Sequence, residues 1–191
     1  KLLVMILYIH GFGSTGGSFK GEGLKSYFPN EKVVCPNLKH EPKEDLELLG
    51  KIVEEHKNEK ILLVGTSLGA FYAYVLSRKY SIPCALVNPS MEPDKTLVNR
   101  VGLCNNYNTG KLFKWSLECV YELKKMREYV ETKTNYFPHM IHVFLGGKDE
   151  TLNNENIREI LPFASVTTYP EENHRFENFN ILFGEFEKIL N

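Results

Sequence analysis

Three residues of this chain have the types and the order needed to move an acyl group: Ser67, Asp149 and His174. Ser67 is the centre of Gly65-Thr66-Ser67-Leu68-Gly69, directly after the apolar run Lys60-Ile61-Leu62-Leu63-Val64. G-x-S-x-G between a buried strand and a helix is the pattern of a nucleophile elbow. A chain that leaves a strand and enters a helix within a few residues strains its middle residue, and side chains two positions either side would clash. Glycine therefore flanks the serine on both sides. The hydroxyl is lifted above the sheet edge, where it needs a base, and the base needs an orienting carboxylate. After such an elbow the partners follow in the order acid, then histidine.

Aspartate is scarce, with Asp45, Asp94 and Asp149 the whole supply. Asp45 precedes the serine. Asp94 comes too early, in the polar stretch Glu92-Pro93-Asp94-Lys95. Asp149 closes Ile141-His142-Val143-Phe144-Leu145-Gly146-Gly147-Lys148-Asp149, which reads as an apolar strand followed by a Gly-Gly turn. Its neighbour Glu150 competes for the same role. Of the histidines, His10, His40 and His56 precede Ser67, and His139 and His142 flank the start of a strand, at the rim opposite to the chemistry of a parallel sheet. His174 follows the strand Ser165-Val166-Thr167-Thr168-Tyr169 in a loop that leads into the last helix. All three residues thus fall at the carboxyl ends of strands.

A tetrahedral intermediate needs two backbone N–H donors. One is expected from Leu68, after the nucleophile, and the other from the loop that follows an early strand. That strand is Leu2-Leu3-Val4-Met5-Ile6-Leu7-Tyr8-Ile9, and the loop is His10-Gly11-Phe12-Gly13-Ser14, with Phe12 as the donor. His10 is expected to brace the loop and not to transfer protons. Gly11-Phe12-Gly13-Ser14-Thr15-Gly16 also satisfies the dinucleotide fingerprint G-x-G-x-x-G. That fingerprint wants an acidic residue at the end of the next strand, and Lys32-Val33-Val34-Cys35 runs instead into Pro36-Asn37-Leu38.

The chain resembles the α/β-hydrolases, and among them the YqiA-like family of small bacterial esterases. The resemblance rests on Tyr8-Ile9-His10-Gly11-Phe12, on Gly65 to Ala73 and on Leu86-Val87-Asn88-Pro89-Ser90. It continues through Asn108-Thr109-Gly110 and Asn173-His174-Arg175-Phe176. Ala70 departs from it where such elbows often carry a further glycine, and Lys148-Asp149-Glu150 is more charged than the usual Gly-Asp turn. The resemblance implies carboxylester hydrolysis, with short acyl esters and acyl-CoA thioesters both in range.

The elements that must position these residues alternate strand and helix, which argues for an α/β fold with helices on both faces. The expectation is a minimal α/β-hydrolase over residues 1–191, with about six mainly parallel strands. Helices are expected over Pro42 to Lys57, burying Leu46, Leu49, Ile52 and Val53, over Leu68 to Tyr80, and along the stripe Phe179 to Leu190. Residues 92–138 read as a polar loop, Asn99 to Gly110, and then a helix with Cys119, Val120, Leu123, Met126 and Val130 on one side. This stretch stands where a lid or a long crossover would be. Pocket walls are expected from Phe12, Phe71 and Met91 near the nucleophile, and from Leu112, Phe113 and Trp115 in the lid.

Composition excludes several classes. With 191 residues, 42% of them hydrophobic, and a net charge of −1, the chain can bury one core and carries no basic stripe for nucleic acid. Cys35, Cys84, Cys104 and Cys119 have no metal-ligand spacing, so neither a metal nor a disulfide framework is expected, and four thiols fit the cytoplasm. Lys1 and the first apolar run end without a small-residue cleavage site, and no run reaches the ~18 apolar residues of a membrane span. No cofactor is called for. The expected reaction is two-step hydrolysis of a small-molecule ester. An acyl-CoA thioesterase with a basic patch of Lys111, Lys114, Lys124, Lys125 and Arg127, or a binding module with an idle serine, are the alternatives.

Overall fold

A computed structural model describes residues 3–191. Lys1 and Leu2, the start of the first apolar run, lie outside the described residues. The chain opens with β1 (Val4–Ile9), α1 (Phe19–Tyr27), β2 (Lys32–Val34), α2 (Pro42–Glu55) and β3 (Lys60–Thr66). There follow α3 (Leu68–Tyr80), β4 (Cys84–Val87), α4 (Pro93–Thr96), β5 (Gly102–Asn105), β6 (Leu112–Trp115) and α5 (Leu117–Thr132). The last third holds β7 (Ile141–Lys148), α6 (Ile157–Ile160), β8 (Ser165–Asn173) and α7 (Phe183–Leu190).

Six strands form one sheet in the order β2-β1-β3-β4-β7-β8, and every pairing in it is parallel. The inner strands β1, β3 and β4 read as continuous apolar runs because both faces are covered, whereas the edge strands β2 and β8 are more polar and more exposed. Met5, Leu7, Ile9, Ile61 and Leu63 pack on one face against Leu49 and Val53 of α2, Phe71 and Val75 of α3, and Leu123 of α5. The alternate residues Ile6, Tyr8, Leu62, Val64 and Phe144 pack on the other, against Leu24 of α1 and Phe179, Phe183 and Phe186 at the C-terminal end. The period of two along each strand thus divides the core into two halves. No helix among the described residues is long and apolar enough to cross a membrane.

Three features differ from the sequence-based expectations. The loop expected over Asn99 to Gly110 contains β5, which pairs antiparallel with β6 in a separate hairpin. Gly146 and Gly147 are not a turn but the last part of β7, where the register with β8 shifts. A Cβ on Gly146 would come within 2.6 Å of the Glu172 carbonyl oxygen, and one on Gly147 within 2.8 Å of the Pro170 Cα. These glycines therefore permit close strand approach around a bulge. Finally, β8 runs on to Asn173, past the end expected at Tyr169, so His174 follows a strand directly.

The turn from β3 into α3 has no slack. A Cβ on Gly65 would lie 2.3 Å from the Gly69 carbonyl oxygen, and one on Gly69 would lie 2.1 Å from the Ile9 carbonyl oxygen. Gly69→Ala is expected to cost about 3 kcal/mol or more, because backbone atoms on both sides would have to move. Gly184→Ala is the control: nothing lies within 4 Å of its Cβ position. It should stabilise the chain by about 0.5–1 kcal/mol through the lower entropy of the unfolded state. Urea titration of both variants checks the pair.

Candidate active site

Ser67 adopts φ 53° and ψ −117°, outside the basins where a serine rests without strain. Its backbone is held on both sides. The Ser67 N–H donates to the Val87 carbonyl (3.0 Å), and its own carbonyl accepts from Ala70 N–H and Ser90 N–H, both at 3.1 Å. Leu68 is the first residue of α3, so its N–H has no acceptor within the helix.

The imidazole of His174 lies between Ser67 and Asp149. Its Nε2 is 3.1 Å from Ser67 Oγ, and its Nδ1 is 2.9 Å from Asp149 Oδ2 and 3.0 Å from Oδ1. Asp149 Oδ1 also accepts from the N–H groups of Thr151 and Leu152, each at 2.9 Å. Burial pushes the Asp149 carboxyl up, but the His174 ring and these two N–H groups outweigh it and hold its pKa below the ordinary value. Glu150 lies elsewhere: its carboxylate accepts from the His174 backbone N–H at 3.1 Å and does not reach the ring.

A residue that the sequence offered only as part of a motif fixes this histidine. Asn88 is 1% exposed, with φ 42°. Its amide nitrogen donates to the carbonyls of Asn173 (2.9 Å) and His174 (3.0 Å), and its amide oxygen accepts from Gly146 N–H at 2.7 Å. One side chain at the end of β4 thus ties the last strand and the histidine loop to the strand end before Asp149.

The loop after β1 is held as firmly. His10 is buried, with Nδ1 at 2.9 Å from the Gly11 carbonyl and Nε2 accepting from Leu38 N–H at 3.0 Å. These bonds specify a neutral ring protonated at Nδ1, and burial lowers its pKa. Gly11 passes so close to the elbow that a Cβ there would meet the Thr66 carbonyl oxygen at 3.2 Å and Ser67 Cβ at 3.3 Å. The β5–β6 hairpin covers the loop from outside. Tyr107 N–H donates to the Gly13 carbonyl (2.7 Å) and the Asn106 amide to the Ser14 carbonyl (3.0 Å). Asn106 also accepts from the N–H groups of Asn108 and Thr109, which explains the polar Asn-rich turn. The Phe12 ring packs edge-on against Trp115, 5.0 Å between centroids, and the Trp115 indole N–H donates to the Leu97 carbonyl.

A cleft of about 440 Å³ opens at Ser67 and His174. Phe12 lines it, as expected, with Gly11, Ser14, Tyr107 and Asn108. Phe71 and Met91 do not: both are buried and line a second cavity with Tyr74, Arg78 and Tyr136. Phe71 lies in the first turn of α3, and its side chain turns away from the serine into the core between that helix and the sheet. The hairpin aromatics also differ from expectation. Trp115 is buried behind Phe12, Phe113 stacks on His40 with 4.0 Å between centroids, and Leu112 is exposed. Two cleft residues were not singled out in the sequence: Lys20, in the first turn of α1, had no signal, and Arg175 appeared only within the motif around His174.

Asn88→Ala should cost at least about 2 kcal/mol, since it strands one N–H and two carbonyls. Denaturant unfolding measures the loss, and faster amide exchange at Gly146 locates it. His40 supplies a pH dependence. Burial, then the neighbouring His10, push its pKa down from 6.5 to about 4. The folded state favours the neutral ring, so this stability is full above pH 6.5 and is lost as pH falls towards about 4. His40→Asn suits the residue's φ of 64° and removes that titration. The slope of stability against pH should flatten across this window, and His10 and His142, also held low, should sustain the remainder.

The description "Uncharacterised protein family (UPF0227)" fits residues 5–190. The chain is 25% identical over 179 residues to a UPF0227 protein of Shewanella sp. (strain MR-4), covering 90% of this chain and 91% of that one. Among solved structures it is similar to alpha/beta hydrolase domain-containing protein 10 from mouse, with TM-score 0.75 at 14% identity, over 97% of this chain and 89% of that one. A monoacylglycerol lipase from Paleococcus ferrophilus gives TM-score 0.71 at 15% identity, over 97% and 93% of the two chains. These likenesses establish an α/β-hydrolase fold. The family match extends over nearly the whole length, and the chain therefore belongs to the UPF0227 family.

Proposed function

We propose that this protein is a serine hydrolase that cleaves small-molecule carboxylic esters through an acyl-enzyme. One observation carries the reading: a single imidazole uses Nδ1 on Asp149 at 2.9 Å and Nε2 on Ser67 at 3.1 Å. Asp149, ionised at neutral pH, keeps the Nδ1 proton in place, so Nε2 is free to accept the Ser67 proton. Ser67 Oγ then attacks the ester carbonyl. The N–H groups of Phe12 and Leu68 take the oxyanion, a role that suits the close passage of Gly11 over the elbow. His174 gives its proton to the departing alcohol, and then draws one from water as that water attacks the acyl-enzyme. The serine is regenerated and the acid leaves.

In this reading residues 92–138 form a small cap whose hairpin stays fastened over the Phe12 loop, and the cleft beside it takes the acyl group. One structural neighbour, the monoacylglycerol lipase, is by name an ester hydrolase, which agrees with this chemistry. Two of the five residues in the basic patch that a thioesterase called for are already paired with carboxylates. Arg127 is committed to Asp94 and Glu131, and Lys124 pairs with Glu128.

The decisive experiment is intact-mass analysis after incubation with a fluorophosphonate. One adduct at Ser67, absent from Ser67→Ala, is the expected result, and no adduct on the folded protein would favour a binding module. In p-nitrophenyl ester assays Ser67→Ala and His174→Ala should each lower kcat by about 10⁴–10⁶. Asp149→Asn should cost about 10⁴ by presenting the wrong tautomer. Glu150→Gln should cost less than about tenfold, because its carboxylate meets the backbone and not the ring. The opposite ranking of Asp149 and Glu150 would reassign the acid.

A further inference from the structure

Lys20 is a cleft residue that acyl transfer leaves unused. It is 8% exposed and carries its ammonium between the Phe19 and Phe179 rings, 5.3 and 5.6 Å from their centroids. Among the described residues it makes no hydrogen bond and no ion pair. The nearby Glu172 carboxylate is bound instead by the amide and the N–H of Asn178. Held by two ring faces and without a hydrogen-bonding partner, this ammonium borders the cleft, where an anionic ligand would supply a direct countercharge. Burial and the Arg175 guanidinium bring the Lys20 pKa down to about 8, against the pull of Glu172.

Two further groups converge on the same end of the cleft. Arg175 lies 5.1 Å from the centroid of the same Phe19 ring, so both cations flank one aromatic side chain, and Arg175 makes no ion pair among the described residues. Ser18, the N-cap of α1, is 6% exposed and its hydroxyl has no hydrogen-bond partner. Its side chain does not cap the helix, so the first turn of α1 keeps free N–H groups at this end. Lys20, Arg175 and Ser18 all line the cleft that holds Ser67 and His174.

The geometry points to an anion subsite formed by Lys20, Arg175 and Ser18 beside the serine, so that the preferred substrates are esters carrying a second, ionised group, a carboxylate or a phosphate. This rests on the esterase reading for the reaction but not for the binding. A neutral ester would leave the ammonium unpaired, whereas an anionic one gains two charge-assisted contacts.

The test has two arms. In the first, glutarate and inorganic phosphate are titrated separately into the wild-type protein by calorimetry. Saturable binding of at least one, weakened at least tenfold by Lys20→Met and by Arg175→Gln, is expected. The anion that binds identifies the carboxylate or the phosphate class. In the second arm, kcat/KM is compared for mono-p-nitrophenyl glutarate and p-nitrophenyl hexanoate, which are similar in length and differ in charge. A phosphate class would be tested likewise, with a phosphate-terminated ester of the same length. The anionic ester should be preferred at least tenfold, and each variant should lower that ratio at least tenfold. Arg175 is on the surface, so its variant keeps the test valid if Lys20→Met does not fold. Hydrolysis of the hexanoate with no anion preference, and no anion bound, would overturn the subsite and leave the esterase reading standing. Failure to cleave any ester would instead count against that reading, and the titrations alone would then judge the subsite.

Discussion

Close packing of three backbone segments around one serine governs the rest of the molecule. The end of β1, the turn after β3 and the first turn of α3 approach so tightly that no side chain fits at Gly65 or Gly69. A Cβ would lie 2.3 Å from a carbonyl oxygen at the first position and 2.1 Å from one at the second. The helix can start immediately after Ser67 only because those positions are bare, and an immediate start holds Ser67 at positive φ. The same contact brings Gly11 onto the elbow, which fixes the distance between the Phe12 loop and the serine. Strain at one residue is thus maintained by packing across the centre of the sheet, where β1, β3 and β4 are most completely buried.

Side-chain hydrogen bonds extend that rigidity outward to the loops. Asn88 and Asn106 play equivalent parts on opposite sides of the cleft, each satisfying several backbone groups with one amide. His10 does the same with an imidazole beneath the Phe12 loop. Four of the six non-glycine residues with positive φ among the described residues, His40, Ser67, Asn88 and Phe176, lie in this rim, and Ser81 and Phe163 lie outside it. Such conformations persist only where surrounding contacts over-determine them, and here the contacts are buried amides and tightly packed aromatic rings.

Much of this was legible because it obeys short-range rules. The inner strands of the main sheet follow from apolar runs, and α3 runs over the expected residues because the elbow sets its start. Chain order together with position at strand ends selected Ser67, Asp149 and His174, with Glu150 left as a competitor, and the fold brings these three within hydrogen-bonding distance. What failed required knowledge of facing. Phe71 is near Ser67 in sequence, but the winding of the helix carries its side chain away, into the core against the sheet. The β5–β6 hairpin was hidden by its composition, since Asn-rich segments read as loop and its strands have only four residues each. The glycines of β7 imitated a turn because close strand approach and a tight turn make the same demand for a missing Cβ. Lys20 was silent for a different reason. A lysine in the first turn of a helix is ordinarily solvated, and only the Phe19 and Phe179 rings reveal its burial.

The histidine loop links these levels. Asn173 is held by Asn88, and Phe176 is fully buried with its N–H bonded to Asn173, so the two ends of this short segment are anchored. His174 and Arg175 are the residues left between the anchors, and both border the cleft. A loop this short cannot move one without the other. The imidazole's alignment on Ser67 and the guanidinium's place beside the Phe19 ring are therefore one geometric fact. Whatever charge engages Arg175 acts on the same rigid unit that carries the imidazole, and the aromatic packing beneath Phe176 ties that unit to the C-terminal half of the core.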